Sequence, residues 1–241
     1  MNPNVASRAR IETPSFRALA LIGALGLAPC AWAADLKDVL KQLGEGARAD
    51  ENSAACSYRE TTTVDELNKE GGVLGSEVRT FDVEVKGMEV TRRDLLSVKK
   101  SGQPLADLLQ QPRDAKGKKA ARGPLHPEAQ KDYRFGLTIG PGPDQLTLAI
   151  EPVKPSMERI RGEAVLNAHT SQLQRLRFAP SKVPLLLKSL EMRWEYGDTA
   201  CGRLPVALET EGEGVAIFIE TKFRSRSLLE GHARLSRPRT N

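Results

Sequence analysis

Apolar and polar residues alternate along the second half of the chain, in short runs separated by turn-forming residues. In the clearest run, apolar residues at every second position from Leu190 to Tyr196 alternate with charged residues. A strand turns successive side chains to opposite faces, so this period of two predicts a sheet with one wet face and one dry face. Besides the run at 190–196, four similar runs cover 160–166, 175–178, 204–208 and 215–223. Together these five runs predict an antiparallel meander.

One helix and five further strands are predicted before this meander. The helix covers 35–49 and carries an apolar stripe that suits packing on a sheet. The stripe consists of Leu36, Val39, Leu40, Leu43 and Ala47. The strands cover about 57–67, 73–86, 88–98, 133–139 and 146–150, so the whole sheet has about ten strands.

Residues 104–131 interrupt the sheet with a short predicted helix and then a basic run. One interpretation is that the run attracts anionic lipid head groups or an acidic partner. The other is a solvated, mobile insertion, which is what most charge runs are. Nucleic acid is not expected, because no aromatic side chain lies between the charges to stack on bases. The cations in question are Lys116, Lys118, Lys119 and Arg122.

Residues 1–33 have the features of an export signal: a basic start, an apolar stretch and the small residues Ala31 and Ala33 before the cleavage point. A membrane anchor would need about 20 apolar residues. A lipoprotein signal would need a small residue before Cys30, where Pro29 stands. Cleavage would leave 208 residues with a net charge of +3, which favours no particular partner. We therefore expect a periplasmic protein with one domain over 34–226 and a polar tail over 227–241.

After cleavage the chain would keep two cysteines, Cys56 and Cys201. In an oxidising compartment a structural disulfide between them is expected. It would close a loop of 145 residues, for which chain entropy gives roughly 4–5 kcal/mol. The alternative, a redox-active pair, lacks a Cys-x-x-Cys motif.

Catalytic motifs are not found in the sequence. The three histidines, His126, His169 and His232, have no partner at metal-ligand spacing, and there is no H-E-x-x-H. There is also no G-x-S-x-G and no Walker A loop. We therefore expect a protein that is not an enzyme and that holds no metal or cofactor.

The dry face of so large a sheet cannot be covered by one helix of about 15 residues if the sheet lies flat. The sheet must curl, with the helices at its mouth. The predicted fold is α+β and mainly antiparallel: a curved half-open β-barrel with an N-terminal helix and a helical lid insertion. Its dry face either lines an apolar ligand cavity or forms a tight core. The candidate cavity residues are Phe81, Val83, Phe135, Leu137, Leu148, Met192, Trp194, Ile217, Ile219 and Phe223.

Several phrases of the chain, in this order of strands and turns, resemble LolA-like outer-membrane lipoprotein carriers and their bacterial relatives. They are the turn 66–72, the segments 92–97 and 101–105, and the stretch 162–176. The resemblance covers about residues 35–226 and implies an unclosed barrel whose helices cover an apolar cavity. It implies a carrier of lipid or lipoprotein acyl chains or, alternatively, an envelope sensor or protein-interaction domain with a filled core.

Overall fold

The computed structural model describes residues 35–87, 89–104, 122–216 and 219–235. The export signal and most of the basic run, including Lys116, Lys118 and Lys119, lie outside the described residues. Within the described residues there are two helices, α1 (Leu36–Glu51) and α2 (Pro127–Gln130). The strands are β1 (Cys56–Leu67), β2 (Val73–Lys86), β3 (Glu89–Lys100), β4 (Gln103–Pro104), β5 (Tyr133–Ile139), β6 (Gln145–Pro152), β7 (Ile160–Asn167), β8 (Leu173–Pro180), β9 (Leu187–Thr199), β10 (Gly202–Ala216) and β11 (Ile219–Arg234).

All eleven strands form one antiparallel sheet in the order β4-β3-β2-β1-β11-β10-β9-β8-β7-β6-β5. The first and last long strands pair with each other, Thr62 opposite Ser227, so the two ends of the domain meet inside the sheet. The strands β4 and β5 stay at the two edges, and the sheet is not closed. The predicted curved half-open barrel of α+β type is confirmed, with the two-residue β4 in addition to the expected ten strands.

The last hairpin differs from the prediction. The sequence indicated separate strands over 204–208 and 215–223, whereas β10 runs unbroken to Ala216 and the chain reverses before Ile219. The acidic, glycine-containing stretch between the two predicted strands is part of β10 because its carboxylates have partners on the neighbouring strands. Glu209 pairs with Arg193 of β9 and with Arg226 of β11, both at 3.3 Å.

The final strand also continues to Arg234, beyond residue 226, where the sequence placed the end of the domain. Ser227 and Leu229 are buried on this extension. The hydroxyl groups of Ser227 and Thr62 are 2.7 Å apart. Residues 227–234 therefore belong to the sheet, because they pair with β1 from Thr62 back to Cys56.

The buried core lies between α1 and one side of strands β6 to β8. Asp35 caps the helix by accepting a hydrogen bond from the Lys37 amide at 2.9 Å. The helix then places Val39 and Leu43, at helical spacing, against the sheet. The sheet contributes alternate residues of each strand: Leu146, Leu148, Ile150, Ala164, Leu166, Leu176 and Phe178.

The predicted disulfide between Cys56 and Cys201 is present, with the two Cα atoms 6.1 Å apart. It connects the start of β1 to the turn between β9 and β10, and β11 lies between β1 and β10 in the sheet. The ladder between β10 and β11 begins only at the pair Ala207–Leu228. The disulfide thus holds β10 near β1 where hydrogen bonds to β11 do not. A structural disulfide fits an oxidising compartment.

Candidate functional site

The candidate site is the inner face, defined as the side of the sheet that carries Leu148, Leu166 and Phe178 and contacts α1. Leu148 and Leu166 are completely buried there. Cross-strand partners share a face, and Leu176 of β8 lies opposite Trp194 of β9. The apolar surface therefore continues from the core onto β9.

A single helix is too small to cover this surface. Five strands, β5 to β9, span about 19 Å at about 4.8 Å per strand. A 16-residue helix is about 24 Å long and about 10 Å wide. Whether it runs along the strands or across them, it covers about half of the surface. Consistent with this, a border of apolar residues next to the core is only partly buried: Tyr133, Phe135, Leu137, Ile160, Leu173, Met192, Trp194 and Tyr196.

Five of the predicted cavity residues lie together on this apolar part of the inner face. Leu148 is in the packed core, while Phe135, Leu137, Met192 and Trp194 form part of the partly buried border. The ring of Trp194 meets the ring of Phe178 edge to face, with 5.1 Å between the centroids. Trp194 thus joins the packed core to its partly covered border.

The other predicted cavity residues with described side chains lie on the β1, β2 and β11 half of the same face, since Phe81 pairs with Glu60 and Phe223 pairs with Gly212. Val83 is buried on β2. The ring of Phe81 lies beneath the guanidinium group of Arg93, with 3.9 Å between the ring centroid and the guanidinium carbon. Phe223 lies against Gly212. Ile217 is outside the described residues, and the side chain of Ile219 is not described. A role for these residues in a cavity stays a prediction.

Beyond β9 the inner face carries polar side chains among apolar ones such as Leu229 and Val83. Leu208, Ser227 and Thr62 follow Trp194 as successive cross-strand partners and so lie on the same face. Here Glu60 accepts hydrogen bonds from Thr62 at 2.8 Å and from Arg93 at 2.9 Å.

Sequence reasoning missed this polar cluster, defined as Glu60, Thr62, Arg93 and Ser227. The signal that could have revealed it is the content of Thr and Glu in β1, which is high for a strand in the middle of a sheet. The inner face therefore has an apolar part under α1 and, beside it, a part in which this polar cluster lies among apolar side chains.

The helix α1 is attached to α2 by a polar latch, which comprises Glu51, Arg122, His126 and Gln130. The side-chain amide of Gln130 donates a hydrogen bond to the backbone carbonyl of Leu40 at 2.9 Å. The Glu51 carboxylate is 3.1 Å from both Arg122 and the buried ring of His126. The hydrogen bond from Arg122 holds the pKa of Glu51 below its ordinary value.

Close packing adds to this latch. A Cβ atom on Gly44 would lie 2.8 Å from Pro127, so glycine allows the two helices to touch. Arg122 also pairs with Glu128 of α2. The attraction of the basic run to an anionic surface, in which Arg122 was included, stays a prediction.

The opposite, outer face carries a groove of about 740 Å³ lined by charged residues of β7 to β11. Arginines and glutamates alternate across the strands, with Arg177 donating to Glu191 at 2.7 Å. This contact holds the pKa of Glu191 below its ordinary value. Exposed pairs of this kind add little to stability singly, and here they connect β8 to β11 across the outer face. Further members are Glu163, Arg175, Arg193, Glu195, Glu209 and Arg226.

A second groove, of about 490 Å³, lies near the N-terminal end of β1 and is bordered by Tyr58 and Val83. The Tyr58 ring packs 5.2 Å from the ring of His232. Burial raises the pKa of Tyr58 to about 12 and lowers that of His232. Both shifts favour the neutral form of the group.

Within the described ranges, no group of three or more His, Cys, Asp or Glu side chains could hold a metal ion. In the same part of the chain, no helix is both long and apolar enough to span a membrane.

Comparison with known proteins gives structural neighbours alone. No protein-family model matches the sequence, and no curated protein matches it. Among solved structures, the chain is similar to the putative outer membrane lipoprotein-sorting protein domain from Vibrio parahaemolyticus (10% identity, TM-score 0.43). The similarity covers 84% of this chain and 94% of that one.

Two further solved structures are similar over most of the chain. The DUF1329 family protein from Desulfovibrio piger is 14% identical with a TM-score of 0.44, over 82% of this chain and 92% of that chain. The LolA superfamily protein NE2245 from Nitrosomonas europaea is 12% identical with a TM-score of 0.35, over 84% of this chain and 94% of that chain. The LolA-like resemblance seen in the sequence thus recurs among these structures. Since every TM-score is below 0.5, the similarity carries no inference about a ligand or partner.

Proposed function

We propose that this protein is a periplasmic, non-enzymatic carrier or binder of the acyl chains of lipids or lipoproteins. The observation that supports the proposal most directly is the inner face, whose apolar part extends over five strands and is about twice what α1 covers. Such a partly covered concave surface is typical of sites for apolar ligands. The export signal in the sequence and the disulfide support a periplasmic location.

The attachment of α1 suits a movable cover. Its contacts with the core on β6 to β8 are apolar and include Val39 and Leu43, and such contacts are non-directional. Its C-terminal end lies against the turn between β2 and β3, where a Cβ atom on Gly87 would be 2.3 Å from the Glu51 carbonyl oxygen. Its directional contacts go to α2 through the polar latch. A shift of α1 together with α2 would keep the latch intact while opening the apolar face between α1 and β9.

Burial of the ligand would supply the binding energy. Each methylene removed from water contributes about 0.8 kcal/mol, so ten methylenes give about 8 kcal/mol before the costs of association. The polar cluster of Glu60, Thr62, Arg93 and Ser227 lies beside the apolar part on the same face. This arrangement suits an amphiphile, with its chain under α1 and its head near β1 and β11.

Trp194 permits a direct test, because the other tryptophan, Trp32, lies in the segment expected to be cleaved. In the form comprising residues 34–241, all tryptophan fluorescence therefore comes from the candidate site. We expect a fatty acid brominated along its chain to quench this fluorescence upon binding, and the unbrominated acid to leave it unquenched.

A matched control moves the fluorophore to the other side of the sheet by one residue. In the double variant Trp194→Phe/Glu195→Trp, the indole lies on the outer face, and we expect the brominated acid to quench it weakly. Equal quenching in both proteins would place the acyl chain outside the inner face. Without quenching, and without bound acyl chains in native mass spectrometry, the proposal fails. Trp194→Glu should abolish binding, with circular dichroism to verify folding.

The charged outer face supports a second candidate function, a sensor or protein-interaction domain with a filled core. Its groove of about 740 Å³ presents both arginines and glutamates, and complementary charge gives specificity in protein recognition. Charge reversal at Arg175 and Arg177 would weaken binding to such a partner and leave acyl-chain binding unchanged.

A further inference from the structure

The exposed apolar side chains are concentrated at one end of the sheet. Ten large hydrophobic residues are exposed in the described part of the chain, and seven of them lie in or beside the loops that join β1 to β2, β6 to β7 and β8 to β9. Leu185 is 99% exposed and Leu186 is 70% exposed. The other five are Val73, Leu74, Val153, Met157 and Val183.

Strand direction places these loops at the same end of the sheet. Antiparallel neighbours bring the end of one strand beside the start of the next, as in the pairs Leu67–Val73 and Gly214–Leu187. Two of the loops are also bonded to each other: the Ser181 amide donates to the Arg159 carbonyl at 2.7 Å, and the Ser156 amide donates to the Ser181 hydroxyl at 2.9 Å. Loops 153–159 and 181–186 therefore form one unit, here called the apolar rim.

Within the two loops of this rim and directly after them, basic residues outnumber acidic ones. Lys154, Lys182 and Lys188 are exposed within it or directly after it. Lys188 lies 3.4 Å from Glu213, and Arg159 lies 3.2 Å from Asp132. Glu158 is the one acidic residue between 153 and 159 or between 181 and 188. Apolar loop tips between lysines match the interface of a membrane that contains anionic lipids.

We propose that the apolar rim docks on an anionic phospholipid surface, with Leu185 and Leu186 entering the region between head groups and acyl chains. The fold itself does not account for two adjacent leucines that are so exposed, since contiguous apolar surface usually marks an interaction site. The lysines contact lipid phosphates. The proposal rests on loops at one end of the sheet and is independent of the ligand on the inner face.

The test is flotation of the exported, purified protein with intact vesicles, either phosphatidylcholine alone or phosphatidylcholine with phosphatidylglycerol. We expect binding to the anionic vesicles and a marked decrease in high salt. Leu185→Ser/Leu186→Ser should lower the partition coefficient about tenfold or more for each leucine. Lys154→Gln/Lys182→Gln should weaken binding to the anionic vesicles but not to vesicles of phosphatidylcholine alone.

Ile139→Ser is the matched control, because Ile139 is 86% exposed and lies at the opposite end of β5, beside the turn to β6. It should bind vesicles like the unmodified protein. Trp194→Glu should also float normally, which separates docking from ligand binding on the inner face. Equal losses for Ile139→Ser and the leucine variant would overturn the proposal. Failure of the unmodified protein to float would do so too and would favour a protein partner for the rim.

Discussion

Removal of the disulfide should be the most informative single perturbation of this fold. Cys56 and Cys201 are separated by 145 residues, and loop-closure entropy in the unfolded chain gives roughly 4–5 kcal/mol for a loop of this length. A typical domain is stable by about 5–15 kcal/mol. We therefore expect the variant Cys56→Ala/Cys201→Ser to lose a large share of its stability. Alanine is chosen for Cys56 because that position is buried and a hydroxyl there would need a partner.

The assay is guanidinium denaturation of three samples: the oxidised protein, the reduced protein and the double variant. If the bond acts through the unfolded chain, the reduced protein and the variant should lose similar amounts, roughly 4–5 kcal/mol. Hydrogen exchange should also accelerate in residues 202–206 of β10, because the ladder to β11 begins only at Ala207. A loss below about 1 kcal/mol would refute the reasoning. So would unchanged exchange at the start of β10.

Two further predictions concern packing and pH. A Cβ atom on Gly162 would lie 2.1 Å from the Arg177 carbonyl oxygen. Gly162→Ala should therefore destabilise the protein by about 1–3 kcal/mol in thermal unfolding. Gly136→Ala is its control, since the nearest atom there is 3.9 Å away; an equal loss in both would refute the steric explanation. The pKa of Glu51 is lowered from 4.5 mainly by the hydrogen bond from Arg122. Its contribution to the latch is thus complete above about pH 4.5 and is lost as the pH falls through the lowered value. Glu51→Gln should remove this acid-dependent loosening of α1, followed by hydrogen exchange; an unchanged acid response would contradict it.

Local pattern predicted the elements well. The period of two placed a strand at 73–86, which is where β2 lies, and the helical stripe that includes Val39 and Leu43 is the one that packs on the sheet. These predictions succeed because period and face follow from backbone geometry within a few residues. The disulfide could also be predicted, since only two cysteines remain after the export signal.

Long-range pairing could not be predicted in this way. Nothing in the alternation indicates that β1 pairs with β11, and that pairing places Glu60 and Thr62 beside Ser227 on the inner face. The sequence placed candidate residues for an apolar cavity or a tight core on both halves of the sheet. The structure has an apolar part under α1 and a polar cluster beside it, because cross-strand partners decide whether Thr and Glu are buried with hydrogen bonds or solvated.

The sequence by itself thus determined the succession of strands along the chain, the side of each strand that is apolar, the helix that covers the sheet and the pair of cysteines. These are consequences of short-range periodicity and of residue number. Tertiary structure alone decided that β10 continues through its acidic stretch, that the latch ties α1 to α2, and that the exposed leucines meet at one end of the sheet. Each of these depends on side chains far apart in sequence, whose contacts form only when the sheet has closed the intervening loops.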